Sequence, residues 1–459
     1  MATAVGRLGK AWEAPNLFAK IFATVDHKQI AIRYIVTAAI FLGEGGADGL
    51  VMRSQLAVPN NTLVSPDHFN QMFSLHGTVL IFFFATPMVV GGFGNYLVPL
   101  MIGARDMAFP RLNAFSYWVY LLAGMFMYSS FFAGKAPDGG WFAYVPLTDP
   151  QYSPGLNLDM WALGIIFLGI STTAAALNFI VTIFRLRAPG MSINRMPLFV
   201  WGILATSFAI IFALPPLTLG AAMLEFDRKF GTQFFNPNNG GNVLLWQHLF
   251  WIFGHPEVYI LFLPAVGIVS TIIPTFARTR VVGYLFLALA TLSIAFISFG
   301  VWVHHMFATG LNPVALSFFG AAGMSITIPS GVQIFAWIAT IWKGNVLWKT
   351  PFLFICGFII LIIMGGFTGV MISLVPLDWQ VTDTYFIVAH LHYVLVGGVV
   401  FPIFAGLYYW IPKITGRMMN EKLGQLNFWL MFAGFNISFF PMHIMGLLGM
   451  QRRIYTYPS

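Results

Sequence analysis

Charged residues are scarce in this chain. Asp, Glu, Lys and Arg together make up 8% of its 459 residues, and hydrophobic residues make up 58%. A soluble domain carries about a quarter charged residues, so this composition excludes an ordinary water-soluble enzyme. Apolar runs of about 20 residues predict an all-α fold, a polytopic transmembrane helical bundle of about eleven spans. The spans begin near Ile30, Gln71, Ala114, Met160, Leu198, Leu244, Val282, Val314, Thr350, Thr384 and Leu426.

Cysteine is almost absent as well. The single cysteine, Cys356, lies within the apolar run FLFICGFII, so no disulfide can form within the chain. One cysteine also excludes a CxxCH haem attachment, an iron–sulfur cluster and a two-cysteine copper site on this chain. Any such centre must belong to another subunit, and Cys356 is expected to be a small buried hydrophobic residue.

A cleavable signal pattern and a solenoid repeat are also lacking. The net charge of +8 could indicate a nucleic-acid partner, but the distribution of Lys and Arg indicates a membrane topology instead. With the N-terminus placed inside, 17 of the 23 Lys and Arg residues fall on the inner side, among them Arg7, Lys10 and Lys20. This is a strong positive-inside signal, so membrane lipid is the expected surrounding and no nucleic acid is expected.

The run WIFGHPEVYI places His255 and Tyr259 inside an apolar span. A histidine within a membrane segment is uncommon and usually functional. Side chains four residues apart on a helix lie on the same face. An imidazole beside a phenol at membrane depth indicates a metal ligand next to a proton or electron donor.

Five further histidines lie in apolar spans, and the topology places all six in the outer half of the bilayer. Scattered core histidines would not share one depth, so the set indicates redox metals within a membrane. The five are His76, His304, His305, His390 and His392. The remaining histidines lie near span ends, where we expect a solvated or interfacial role. These are His27, His68, His248 and His443.

His390 and His392 are two residues apart, which is about 200° of helical rotation. Their rings therefore leave from opposite faces, and each can ligate a different metal. Imidazole suits iron and copper, and haem is the natural large cofactor for a cavity between helices. A plausible trigonal imidazole site, which fits copper, is formed by His255, His304 and His305. The histidines thus predict two haem irons and one copper.

Long strings of the sequence resemble subunit I of the haem–copper terminal oxidases over nearly the whole chain. The strings are SLHGTVLIFFF, GGFGNYLVPLMIGARDMAFPRLN, LLWQHLFWIFGHPEVYILFLP, VWVHHMFATG, DTYFIVAHLHYVL and GMQRRIYTYP. The resemblance implies one such transmembrane domain over residues 1–459. It also implies the function of a proton-pumping terminal oxidase that reduces dioxygen to water with electrons from cytochrome c. The partners would be a subunit II that carries the CuA centre and a subunit III. The location would be an energy-transducing membrane, in particular the bacterial inner membrane.

The resemblance further implies which residues hold the cofactors. His76 and His392 would ligate a low-spin haem, His390 would ligate a high-spin haem, and both haems would be of the heme A type. The copper, called CuB, would be held by His255, His304 and His305. Tyr259 would be cross-linked to His255 and would supply an electron and a proton to oxygen.

By resemblance, three arginines lie beside the haems. Arg452 and Arg453 are similar to a pair that binds haem propionates, and bidentate pairing suits them. Arg53 would lie near the edge of the low-spin haem, with a plain interfacial arginine as the alternative.

The family's D pathway for protons maps onto polar residues of this chain and ends at Glu257. Its other members are Asp106, Asn95, Asn113, Asn178, Ser171 and Thr172. Asp106 lies in an inner loop, so the topology independently requires that protons travel outward to the metals. Glu257 is two residues from His255 and therefore faces away from the copper, where it could load and unload protons.

The second proton pathway of the family departs from the pattern here. Gln333 stands where the family has a lysine, and glutamine can hydrogen-bond but cannot carry a charge. We expect this pathway to be altered, bypassed or slower, although Ser270, Ser330 and Thr327 could still hold water.

Two further departures concern magnesium and chain length. Thr382 replaces a histidine that helps bind magnesium in many relatives, but Asp383 remains. The sequence therefore does not decide whether this chain binds magnesium. The chain stops at Ser459 after the eleventh span, whereas the family usually has twelve. Either the twelfth span is missing from this sequence or the protein is truncated.

Polar residues in and near the first span indicate quinol as the alternative electron donor to cytochrome c. Asp48, His68 and Gln71 coincide with polar residues that bind quinol in the ubiquinol-oxidase branch, but Glu44 stands where that branch has an arginine. These polar residues could equally lie at a subunit contact or near the outer surface. A nitric oxide reductase would share the six histidines but lacks a tyrosine at the Tyr259 spacing. A transporter would not need the histidines.

Overall fold

The computed structural model describes residues 16, 18 and 22–459, so Arg7, Lys10 and Lys20 lie outside the described residues. Within the described ranges the chain is a helical bundle, and the β-pairing found there is an isolated bridge between Thr384 and Gln451. We number eleven helices in chain order. They are α1 His27–Gln55, α2 Pro66–Ile102, α3 Pro110–Tyr128, α4 Asn157–Arg185, α5 Leu198–Phe230, α6 Val243–Ala277, α7 Tyr284–Thr309, α8 Pro313–Lys343, α9 Thr350–Ile372, α10 Tyr385–Thr415 and α11 Glu421–Leu447.

The predicted all-α transmembrane bundle is confirmed. Ten of these helices are long and apolar enough to cross a membrane, and they coincide with ten of the predicted spans. The remaining predicted span, from Ala114, is α3, which has 19 residues and carries Arg111, Asn113 and Ser116 in its first two turns. These polar residues lower its hydropathy below that of the other ten. The chain is therefore an integral membrane protein.

Two helices widen immediately after histidines of the predicted metal sites. In α2, π-helical turns cover Val79–Ala85 and Pro87–Gly94, just after His76. In α10, a π-helical turn covers Tyr393–Val400, just after His392. Such turns are rare and occur frequently at functional sites. The π-helical turns thus lie on the two helices that carry His76, His390 and His392.

The C-terminal end of α11 is in direct contact with the start of α10. Backbone bonds join Tyr385 N to Met450 O at 2.9 Å and Arg452 N to Asp383 O at 2.9 Å. A Cβ added at Gly446 would overlap the backbone nitrogen of Phe386. Only glycine therefore permits this approach between the two helices.

We expect Gly446→Ala to lower the stability of the protein by about 1–3 kcal/mol or more, because overpacking displaces helices. Gly434→Ala on the same helix is a matched control, since its added Cβ meets nothing within 4 Å. Alanine has the higher helix propensity, so this control should be neutral or slightly stabilising. Thermal unfolding of both variants in detergent checks the prediction, and equal melting temperatures would contradict it.

Candidate metal centre and proton route

Three imidazoles, of the buried His255 and the partly buried His304 and His305, converge at the interface of α6 and α7. Nδ1 of His255 lies 3.2 Å from Nε2 of His305, and Nε2 of His304 lies 3.1 Å from the same atom. Each of the three offers a ligand atom within 4.8 Å of the other two. Nε2 of His255 and Nδ1 of His304 are buried without a hydrogen-bond partner. Three imidazole nitrogens this close together form a donor set that suits a transition metal.

The local backbone brings His304 and His305 together. They lie in a 3₁₀ segment, Trp302–Thr309, with a kink at Met306. The ring centroids of the two adjacent histidines are therefore 4.3 Å apart. Both rings also lie next to that of His255, with centroids 4.4 Å from it for His304 and 5.4 Å from it for His305.

Tyr259 lies beside the trio, as the four-residue spacing predicts. Its ring centroid is 4.8 Å from that of His255. On the same helix one turn earlier, Trp251 stacks on His305 with centroids 4.0 Å apart and planes 8° apart. The Trp251 indole nitrogen donates to the hydroxyl of Tyr144. Sequence reasoning missed Trp251, although its spacing of four from His255 places it on the same helical face.

His76 and His392 face each other across a gap. Their ring centroids are 6.3 Å apart and their planes differ by 25°. Nδ1 of His76 bonds Gly45 O at 2.7 Å, and Nδ1 of His392 bonds Val388 O at 2.8 Å. The two imidazoles are therefore close enough that they would together hold one haem iron.

His390 belongs to a different neighbourhood from His392, as predicted for side chains on opposite helical faces. Its Nδ1 lies 3.0 Å from Thr368 Oγ1 and 3.1 Å from Gly365 O, both on α9. A Cβ added at Gly369 would lie 3.1 Å from the His390 ring. The glycines of α9 thus make room for this imidazole and fix its tautomer through Nδ1.

The predicted propionate-binding arginines lie together after α11. The Arg452 Nε donates to Asp383 Oδ1 at 2.7 Å. The Arg453 guanidinium lies 4.5 Å above the ring of Phe142. Burial, and then the charge of Arg452, lowers the pKa of Arg453 to about 10, so the Arg453 guanidinium stays cationic at neutral pH. Asp383, the remaining candidate ligand for magnesium, forms an ion pair with Arg452.

Arg53 lies apart from that pair, near the end of α1. Its guanidinium donates to the hydroxyl of Tyr385 at 3.1 Å and also lies over the Tyr385 ring at 5.5 Å. Tyr385 opens α10, the helix of His392. Arg53 is exposed, and its contact with Tyr385 places its guanidinium at the start of the helix that carries His392.

Glu257 faces away from the imidazole trio, as predicted. Its Oε1 accepts a 2.8 Å hydrogen bond from Thr86 Oγ1. It lines a small cavity together with Thr86 and Thr172, and a second cavity that shares both threonines reaches Ser171 and Tyr34. Each cavity has room for a water molecule. Ser171, Thr172 and Glu257 thus line neighbouring cavities, and Thr86 is a member of this set that sequence reasoning missed.

The other predicted members of the D pathway lie between α2, α3 and α4. Both amide atoms of Asn113 and Oδ1 of Asn95 are buried without a protein partner, which is typical of sites that hold water. Asn178 is different, because its amide bonds the backbone N and O of Phe109 at 2.9 Å each. Burial raises the pKa of Asp106, although its carboxylate accepts a 2.6 Å bond from Met107 N.

The predicted second route is only partly polar. The amide of Gln333 donates to Thr291 Oγ1 at 3.2 Å, while its Oε1 is buried without a partner. Ser270 accepts a 2.9 Å bond from the indole of Trp337. The Ser330 hydroxyl bonds back to Ile326 O on its own helix. Gln333 therefore has one free acceptor for water, and Ser330 is turned to its own backbone.

The prediction of solvated or interfacial histidines is wrong for two of the four. His27 is 2% exposed and its Nδ1 lies 2.6 Å from Asn95 O. His443 is 9% exposed, with its Nε2 buried and unpartnered. Both lie at span ends in sequence, but neighbouring helices cover them, which hydropathy alone does not reveal.

Of the residues that coincide with the quinol site of the ubiquinol-oxidase branch, Gln71 and His68 make polar contacts within the protein. Gln71 is buried, and its side-chain carbonyl accepts a 3.1 Å bond from Ala136 N. His68 is exposed and lies 3.2 Å from Ser65, the residue that caps α2. Asp48 and Glu44 are only partly buried on α1.

The sequence matches, over residues 29–459, the family described as Cytochrome C and Quinol oxidase polypeptide I. A cytochrome c oxidase subunit 1 of Bacillus subtilis is 49% identical over 95% of this chain and 69% of the relative. A quinol oxidase subunit 1 of Bacillus spizizenii is 47% identical over 96% of this chain and 68% of the relative. A cryo-EM structure of a heme-copper terminal oxidase dimer is similar in fold, with a TM-score of 0.77 and 19% identity over 94% of this chain and 76% of that one.

Proposed function

Because this chain belongs to the cytochrome c and quinol oxidase polypeptide I family, we propose that it is the catalytic subunit of a proton-pumping terminal oxidase. The reaction is the reduction of dioxygen to water with electrons from cytochrome c. Two heme A groups and the copper CuB supply the redox chemistry when bound. The chain is an oxidoreductase subunit of a larger membrane complex, with a CuA-carrying subunit II and a subunit III as partners.

The observation that carries the proposal is the spatial sorting of the six histidines. One set of three converges at 3.1–3.2 Å between α6 and α7. His76 and His392 lie together and would hold one haem iron, while His390 packs separately against α9. Three neighbourhoods of this kind support one copper, one low-spin iron and one high-spin iron. Structural histidines would not need to leave their nitrogens facing one another.

Tyr259 and Glu257 supply protons from two sides of the same helix. Tyr259 lies against His255, so its phenol O–H is placed to give a proton and an electron to the reacting oxygen. The Glu257 carboxyl holds its proton at the end of the cavities that reach Ser171, with Oε1 fixed by Thr86. A positioned acid of this kind typically contributes about 10²–10⁴-fold to a rate. Arg452 and Arg453 supply cationic donors suited to propionates.

Asp106→Asn should lower the number of protons ejected per electron while oxygen consumption continues. The amide keeps the size of the carboxyl but cannot bind and release a proton at neutral pH. Asp67→Asn, the same change at an exposed residue of α2, should leave the ratio unchanged. Proton ejection by reconstituted vesicles measures the ratio, and an unchanged value for Asp106→Asn would refute this entry route.

Cytochrome c is the donor that the contacts favour over quinol. Gln71 bonds Ala136 N and His68 lies at the cap of α2, so two of the coinciding residues have other roles. Glu44 supplies negative charge where the quinol branch has an arginine. The distribution of Lys and Arg supports an orientation with the N-terminus inside, and the bacterial relatives support a location in the bacterial inner membrane.

An oxygen-electrode assay of the purified complex, with reduced cytochrome c and with quinol in parallel, tests the donor. We expect cyanide-sensitive oxygen uptake with cytochrome c and little with quinol. Uptake with quinol alone would overturn the choice of donor but retain the oxidase. Reduction of nitric oxide without oxygen uptake would overturn the oxidase itself.

A further inference from the structure

Phe439 of α11 lies directly against the imidazole of His392. The two ring centroids are 4.0 Å apart and the planes differ by 16°. Among the described residues, Phe439 is the only aromatic ring that stacks on either His76 or His392, apart from the contact of these two imidazoles with each other. Parallel rings at this distance are in van der Waals contact over their whole faces.

The contact is built on a rigid attachment of α11 to α10. The Tyr393 hydroxyl donates to Asn436 Oδ1 at 2.7 Å, one turn before Phe439. On the other side of Phe439, Gly446 allows α11 to touch the backbone of Phe386. Phe439 is therefore held between two fixed points and cannot easily withdraw from His392.

The hydrogen bond on His392 fixes only part of its orientation. Nδ1 bonds Val388 O at 2.8 Å, which selects the tautomer and leaves Nε2 as the nitrogen available to a metal. A ring held at one atom can still pivot about that bond. A flat ring packed on its face removes this freedom, and the resulting angle to the His76 plane is 25°.

We propose that Phe439 is a positioning residue that fixes the plane of the His392 imidazole and thereby tunes the low-spin haem. The inference rests on the proposed ligation of that haem by His76 and His392. The angle between two axial imidazole planes determines the splitting of the iron d orbitals, and contacts of the axial ligands tune the potential. Phe439 thus acts on the haem through its ligand.

The test replaces the flat ring by a side chain of similar volume. Phe439→Met should allow His392 to turn, so the largest EPR g-value of the oxidised low-spin haem should rise and its midpoint potential should shift. Phe439→Tyr keeps the flat face and should retain the wild-type signal. Phe428→Met is the matched control, because Phe428 is buried on the same helix among Phe354, Phe401 and Phe432 without touching an imidazole.

Each outcome decides between positioning and simple packing. A wild-type g-value and potential in Phe439→Met would overturn the inference, and so would equal shifts in Phe439→Met and Phe428→Met. Loss of the low-spin signal in Phe439→Met with its retention in Phe439→Tyr would support it. If the unmodified complex itself shows no low-spin haem, the proposed ligation fails instead, so the two failures are distinguishable.

Discussion

Tyr259→Phe is expected to lower oxygen turnover by at least about 100-fold while the metal sites remain filled. The change removes one hydroxyl and keeps the ring that packs 4.8 Å from His255. Reduction of oxygen to water needs a proton and an electron close to the metals, and phenylalanine can supply neither. The haem spectrum and the copper content should therefore be unchanged when turnover is lost.

Tyr284→Phe is a matched control for the loss of a phenol hydroxyl. Tyr284 is the first residue of α7, and its hydroxyl donates to Met196 O at 2.6 Å, away from the histidines. Its loss should cost about 1 kcal/mol of stability and leave turnover intact. Oxygen uptake by Tyr259→Phe within twofold of the unchanged protein would contradict the assigned role.

Glu257→Gln is the second change with a large expected effect. Glutamine has nearly the same shape and can still accept the hydrogen bond from Thr86, but its amide cannot release a proton. We expect turnover to fall by about 100-fold or more, with proton uptake lost at the same step. Stopped-flow measurements with a pH indicator follow both quantities in one experiment.

A Glu→Gln change at a second buried carboxyl is the control. It separates the effect of losing any buried carboxyl from the effect of losing the proton carrier. Glu225 near the end of α5 is 9% exposed and does not line the cavities of Glu257. Glu225→Gln should therefore retain turnover. Equal losses in both variants would show that removal of a buried carboxyl, and not of the proton carrier, explains the effect.

Spacing along a helix was sufficient to predict several features of the site. The spacing of four between His255 and Tyr259 predicts a shared face, and the rings do meet. The spacing of two between His390 and His392 predicts opposite faces, and their contacts lie on α9 and around His76. Local periodicity determines these relations, so no tertiary information was needed.

Contacts between distant helices could not be predicted in this way. Thr86 is a single hydroxyl in the apolar run FFFATP, and only the approach of α2 to α6 gives it Glu257 as a partner. A solvated or interfacial role is the sequence-based prediction for His443, yet α10 covers it through Phe386 and Tyr393. Phe439 carries no sequence signal at all, because an aromatic residue in a membrane helix is ordinary.

Metal analysis of the purified complex, unchanged and with His304→Ala, tests the central claim most directly. The account predicts two irons per chain in both proteins and a loss of one copper per chain in the variant, because His304 belongs to the copper trio. Copper carried by other subunits is the same in both proteins, so it cancels in the difference between their copper contents. Three irons per chain, or a copper content that does not change in His304→Ala, would contradict the assignment of this site.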